Sequence, residues 1–89
     1  MNVGTAGLLG SSDAHMARIG IELMGNVGTP EALDAIGKVL ATGAAGMRIQ
    51  ALLALNGRVP ESYRGAVLEA RNDNNPLVRA VAMRVDLGR

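Results

Sequence analysis

A repeat with a period near 30 residues is the feature that most limits how this chain can fold. Three arginines open segments rich in Ala, Leu, Ile and Val at intervals of 30 and 31 residues, namely Arg18, Arg48 and Arg79. A Pro-Glu pair follows each of the first two arginines after twelve residues, beginning at Pro30 and at Pro60. A fixed period of this length is typical of arrays in which each structural unit packs on its neighbours. The sequence therefore predicts a repeat architecture.

Helix signals divide the chain into five predicted helices. Thr29 and Asn75 are the expected N-caps, and each is followed by a proline, which is favoured at the first helical position. No window alternates between apolar and polar residues as a half-buried strand does. The predicted helices cover about 13–24, 30–41, 45–56, 60–71 and 76–87. The first helix is expected to have its N-cap at Ser12 and to end before Gly25. Its core face is expected at Met16, Ile19 and Leu23.

The length of 89 residues allows one domain. Residues 1–11 are rich in glycine and carry no charge, so we expect an N-terminal tail with one hydrophobic anchor at Leu8 and Leu9. Residues 12–89 form the expected helical repeat domain. Because the first residues lack the basic region of a secretory signal, and no apolar stretch is long enough to cross a bilayer, we expect a cytoplasmic protein.

Two stretches resemble HEAT repeats, in the short form found in phycobilin-lyase-like HEAT proteins. They are Asn75-Pro76-Leu77-Val78-Arg79-Ala80-Val81-Ala82 and Leu23-Met24-Gly25-Asn26-Val27-Gly28-Thr29-Pro30-Glu31-Ala32. Residues 23–85 are more weakly similar to the helical domain of vitellogenin-type lipid carriers. The resemblance implies an all-α fold, a short α-solenoid of antiparallel helix pairs with about five helices and two and a half repeats. It also implies that the second helix of each pair lines the concave side.

Composition excludes several classes of function. The chain has no Cys and one His, so neither a Cys-based zinc site nor a His-rich catalytic metal site can form. No known catalytic motif is present, and we expect no cofactor and no enzymatic activity. The net charge of +1 is too balanced for a dedicated nucleic-acid surface. These exclusions favour a non-catalytic interaction or assembly module.

Four residues on the predicted second helices are the expected contacts with a protein partner: Leu33, Lys38, Tyr63 and Arg64. Tyr63 ranks first because it is the single aromatic residue and aromatic side chains are favoured interface anchors. Since the fifth helix lacks a partner, the open ends of the solenoid also predict self-association. The resemblance leaves two alternatives, a bilin-lyase-like accessory protein and a fragment of a lipid-carrier helical domain.

The repeated arginines Arg18, Arg48 and Arg79 have two interpretations. Each can bond carbonyl or acidic groups of the next repeat and so hold the stack together. Alternatively, the three can line one surface and bind carboxylate or phosphate groups of a ligand. The sequence favours the structural role.

Overall fold

A computed structural model describes residues 14–88, and all regular secondary structure in this range is helical. The elements are α1 (Ala14–Val27), α2 (Pro30–Thr42), α3 (Ala45–Leu55), a 3₁₀ turn (Glu61–Tyr63), α4 (Arg64–Ala70) and α5 (Pro76–Arg84). The predicted all-α class is confirmed, with five helices forming a short α-solenoid of antiparallel helix pairs. The predicted tail 1–11 and the predicted cap Ser12 lie outside the described residues.

Helix α3 lies at the centre of the fold and contacts α1, α2 and α5. The first helices α1, α3 and α5 form one layer, while α2, the 3₁₀ turn and α4 form the other. The core between them is aliphatic, and its largest fully buried side chains are Ile21, Ile36, Leu52, Leu55, Val67 and Val78. Burial of these side chains is the main force that holds the short stack together.

The two predicted caps are confirmed. Thr29 Oγ1 accepts a hydrogen bond from Ala32 N at 3.2 Å, and a proline follows as the first residue of α2. Asn75 Oδ1 accepts from Leu77 N at 2.9 Å and from Val78 N at 3.3 Å at the start of α5. These bonds satisfy backbone donors that have no partner within the helix.

Helix α1 continues past its predicted end. It passes through Gly25 and ends at Val27, before Gly28, whose φ of +69° is the left-handed conformation that favours glycine. Gly28 N donates to Met24 O at 3.0 Å and closes the helix. Gly25 is instead a packing residue, because a Cβ there would lie 3.2 Å from Nη2 of Arg58. The sequence signal for a stop was correct in kind but three residues early.

The predicted core face of α1 is also wrong. Leu23 is 42% exposed and Met16 is exposed, whereas Ala17 and Ile21 are almost fully buried. Two glycines of α1 are buried as well. Small residues on the buried side let neighbouring helices approach closely, and a search for large apolar side chains at helical spacing overlooks them.

The predicted helix 60–71 begins later than expected. Pro60 is extended, residues 61–63 form the 3₁₀ turn, and the α-helix starts only at Arg64. The position equivalent to the capping residue Thr29 is Val59, which has no hydroxyl and is buried. Val59 N instead donates to Leu87 O at 3.2 Å. The second repeat thus has no side-chain cap at this position, and its α-helix does not start at the proline.

Helix α5 ends at Arg84 rather than near Leu87, because residues 85–88 form an extended segment that we call the C-terminal strap. Gly57 N donates to Asp86 O at 2.6 Å, and Asp86 N donates to Asn56 Oδ1 at 2.8 Å. Gly88 has a φ of +82°, and a Cβ there would lie 2.6 Å from Gly57 O. The strap thus ties the end of the described chain to the α3–α4 connection.

Candidate interaction surface

Two of the repeated arginines meet at one aspartate in the α4–α5 connection. Arg48 forms an ion pair with the Asp73 carboxylate through Nη1 and Oδ2, and both side chains are partly buried. Arg79 Nη1 donates to the backbone oxygen of Asp73 at 2.8 Å, and Asn75 N donates to Oδ1 at 2.8 Å. The bonds from Arg48 and Asn75 hold the pKa of the Asp73 carboxyl below its ordinary value of 3.8. Arg48 thus bonds a connection 25 residues away, whereas Arg79 bonds the connection that immediately precedes its own helix. The expected role of the three arginines between adjacent repeats stays a prediction.

Arg18 behaves differently from its two counterparts. Its Nε lies 3.8 Å from Glu22 Oε1 in an exposed pair within α1. Asp73 follows Arg48 by 25 residues, and the residue that follows Arg18 by the same distance is Gly43. The first repeat thus lacks the carboxylate that joins Arg48 to the next connection, so Arg18 pairs within its own helix.

The four predicted partner contacts lie on the layer of second helices, but they are not equally accessible. Leu33 and Tyr63 are half-buried and pack against the core. Lys38 is exposed and lies 4.0 Å from Asp34, one turn earlier on α2. The ring of Tyr63 packs directly on the backbone of Gly37, where no Cβ would fit. That these residues contact a partner stays a prediction.

Arg64 is half-buried, and its Nε is a buried donor without a hydrogen-bond acceptor among the described residues. A buried donor left unpaired carries a cost of about 1–3 kcal/mol relative to a satisfied one. The geometry gives this arginine no stabilising role that would explain its presence in the second repeat.

The layer of first helices carries a different surface, which we call the first-helix face. It consists of Leu53 on α3 and the two grooves on either side of this leucine. Leu53 is 57% exposed and lies between two shallow grooves. The α1–α3 groove has a volume of about 270 Å³, and its lining includes Ile21, Asn26, Gln50, Leu53 and Arg58. The α3–α5 groove has a volume of about 170 Å³ and is lined by Leu53, Asn56, Val81, Arg84 and Val85. One exposed leucine is thus shared by both grooves.

Each groove also contains an arginine without an ion pair in the described part of the chain. Arg58 Nε donates to Ala54 O at 3.0 Å, and its terminal nitrogens make no hydrogen bond or ion pair within residues 14–88. Arg84 is exposed and makes no hydrogen bond or ion pair with residues 14–88. The first-helix face therefore combines an apolar centre with two unpaired cations.

The sequence analysis did not identify Leu53, Arg58 or Arg84 as residues of an exposed surface. A signal for Leu53 was present, because adjacent residues of a helix point about 100° apart and Leu52 already occupies the core direction. No sequence signal distinguished Arg58 and Arg84 from the other arginines, since their lack of partners depends on the fold.

Within residues 14–88, no group of three His, Cys, Asp or Glu side chains could hold a metal ion. No helix in the same range is long and apolar enough to cross a membrane. No family model matches this chain, and no curated protein or solved structure is significantly similar to it. The HEAT-type resemblance therefore depends on its motif residues alone.

Proposed function

We propose that this chain is a non-catalytic protein–protein interaction module of HEAT type, and that a partner docks on the first-helix face. The observation that carries the proposal is Leu53, a large apolar side chain that is more than half exposed between two grooves. An apolar side chain at the centre of a surface, with polar groups around it, is the arrangement found at protein interfaces.

The size of the grooves favours a peptide or protein over a small molecule. Sites for drug-sized ligands and cofactors usually enclose about 300–1,000 Å³. The two grooves hold about 270 and 170 Å³ and are open to solvent. Spaces of this size fit individual side chains of a partner. A linear tetrapyrrole or a lipid would need a deeper cavity, so the bilin-accessory and lipid-carrier alternatives receive less support.

The face predicted from the sequence remains an alternative docking site for the same function. It lies on the layer of second helices, where Lys38 is exposed and Tyr63 is half-buried. We favour the first-helix face because the apolar groups of the other candidate, Leu33 and Tyr63, already pack against the core.

Self-association at an open end of the solenoid is a further part of the proposal, together with a cytoplasmic location. Helix α5 has no following helix within the described residues, and it exposes Leu77 and Met83 by 66% and 65%. Native mass spectrometry of the full chain tests this part. A mass at a multiple of 9.2 kDa would support it, and a monomer at all concentrations would contradict it.

Selection of binding peptides from a random library tests the main proposal. The full chain is used as bait beside two variants, Leu53→Asp on the first-helix face and Leu68→Asp on α4. Leu68 is a matched control because it is also an exposed leucine, in the other layer. We expect one shared peptide motif that binds the wild-type chain and the Leu68→Asp variant but not Leu53→Asp. The proposal is wrong if no motif emerges, or if binding persists in the Leu53→Asp variant.

A further inference from the structure

We infer that the first-helix face recognises an acidic peptide segment, in which a carboxylate side chain stands beside an apolar one. This inference deepens the proposed function and depends on it. The carboxylate pairs with Arg58 or Arg84, and the apolar side chain packs against Leu53 between them.

Most cations of the described chain already have a partner. Among the described residues, three cations form ion pairs with carboxylates: Arg18 with Glu22, Lys38 with Asp34, and Arg48 with Asp73. Three more donate to backbone carbonyls: Arg58 to Ala54, Arg71 to Ala82 and Val85, and Arg79 to Asp73. Arg58 and Arg84 are exposed residues that line the grooves beside Leu53 and form no ion pair within residues 14–88. Their positive charges favour an anionic partner on this face.

The position of Arg58 also favours an acidic partner. Its Nε is held by Ala54 O, and its terminal nitrogens lie over the C-terminal end of α1. Nη2 is 3.2 Å from where a Cβ of Gly25 would be, and Nη1 is 3.5 Å from that of Gly28. The bond to Ala54 O orients the guanidinium over this end of α1, and its planar fork matches a carboxylate with two hydrogen bonds.

The α1–α3 groove is polarised along its length. Glu22 lines it one turn before Asn26, whereas Arg58 lies at the C-terminal end of α1. An acidic side chain is repelled at the Glu22 end and attracted at the Arg58 end. This arrangement fits a peptide with one localised acidic group next to an apolar residue, rather than a uniformly anionic polymer such as a nucleic acid.

Fluorescence polarisation with defined probes tests the inference on the full chain. The acidic probe is a blocked, labelled peptide with Asp-Leu-Glu-Leu at its centre and Gly-Ser on both sides. One control probe carries Lys in place of both acids, and the other carries Ser in place of both leucines. We expect the acidic probe to bind at least about tenfold more tightly than either control, since charge-assisted pairing and apolar contact both contribute.

Variants then locate the binding. Arg58→Gln should weaken the acidic probe by about tenfold, and Arg84→Gln should weaken it in the same direction. Lys38→Gln removes one exposed cation from the other layer and should change affinity by less than about twofold. Arg84→Gln breaks no hydrogen bond within residues 14–88, so it remains informative if Arg58→Gln loses structure by circular dichroism. In the Leu53→Ser variant, the ratio of affinities between the leucine-containing acidic probe and the serine control probe should fall.

Four results would overturn the inference. The lysine probe binds as tightly as the acidic probe, or Lys38→Gln weakens the acidic probe as much as the arginine variants do. Alternatively, neither arginine variant changes the affinity, or inorganic phosphate displaces the probe completely at constant ionic strength. The last would indicate a simple anion site. If the peptide selection gives a non-acidic motif that still requires Leu53, the proposed function stands and this inference fails. If no peptide requires Leu53, both fail together.

Discussion

The two helix pairs start their second helices differently. In the first pair, Thr29 caps α2 and the helix starts at Pro30. In the second pair, the residue equivalent to Thr29 is Val59, and the chain passes through a 3₁₀ turn before α4 begins at Arg64. The Pro-Glu pair is the same in both repeats. The two starts differ in the hydroxyl of Thr29, which Val59 lacks, in the residues that follow the Pro-Glu pair, and in the bond of Val59 N to Leu87 O. A shared sequence period therefore does not impose the same local structure.

A second difference follows from the first. The late start of α4 leaves Tyr63 with a non-helical backbone, and its ring packs on Gly37 of α2. The first repeat has Leu33 at the equivalent position, and Val67 replaces Gly37 in the second. The glycine of one repeat therefore accommodates the aromatic ring of the other.

The largest effect expected from breaking this contact comes from Gly37→Ala. A Cβ at this position would overlap Cγ and Cδ2 of Tyr63, so we expect a loss of about 1–3 kcal/mol in the free energy of unfolding. The matched control is Gly65→Ala in α4, where nothing lies within 4 Å of the new Cβ. Helix propensity alone then acts, and the control should gain about 0.5 kcal/mol. Urea denaturation followed by circular dichroism measures both.

A double-mutant cycle sharpens this test. In a Tyr63→Ala background the ring is absent, so Gly37→Ala should become neutral or stabilising. An unchanged cost in that background would show that Gly37 is needed for another reason. The Tyr63→Ala variant alone should lower stability, because the ring is half-buried against the core.

A smaller effect is expected at the cap that distinguishes the two repeats. Thr29→Val gives the first repeat the residue found in the second and removes the acceptor for Ala32 N. The expected loss is about 1 kcal/mol in the free energy of unfolding. Thr29→Ser keeps the hydroxyl and should stay close to wild type. Equal losses in the two variants would mean that the hydroxyl does not carry the effect.

The ion pair between Arg48 and Asp73 should make the stability of the fold depend on pH in the acid range. Because the pKa of Asp73 is lowered in the folded state, its contribution is complete above pH 3.8 and is lost as the pH falls through the lowered pKa. We expect Asp73→Asn to be less stable than wild type at neutral pH, with a difference that narrows at acid pH. Thermal unfolding from pH 7 to pH 2 measures this, and parallel pH profiles would contradict it.

The smallest effect is expected at Arg64. Since its Nε is buried without an acceptor, Arg64→Met removes an unsatisfied donor while keeping most of the side-chain volume. Stability should stay the same or rise, because the variant no longer buries an unpaired donor. A large loss in thermal unfolding would show that Arg64 makes a stabilising contact after all.

The all-α class, the five helices of the described residues and the caps Thr29 and Asn75 were all predictable from the sequence. These features depend on local chemistry, namely a hydroxyl or amide before a proline and apolar residues at helical spacing, which acts without knowledge of distant residues.

Three features depend on the tertiary structure: which side of α1 is buried, where α4 begins and α5 ends, and which cations lack partners within residues 14–88. The small residues of α1 are buried because neighbouring helices approach them closely. The C-terminal strap ends α5 because Asn56 and Gly57 offer it hydrogen bonds across 30 residues of chain. Arg58 and Arg84 are unpaired for the same kind of reason. Whether a side chain finds a partner depends on groups that are distant in sequence, and no local pattern contains that information.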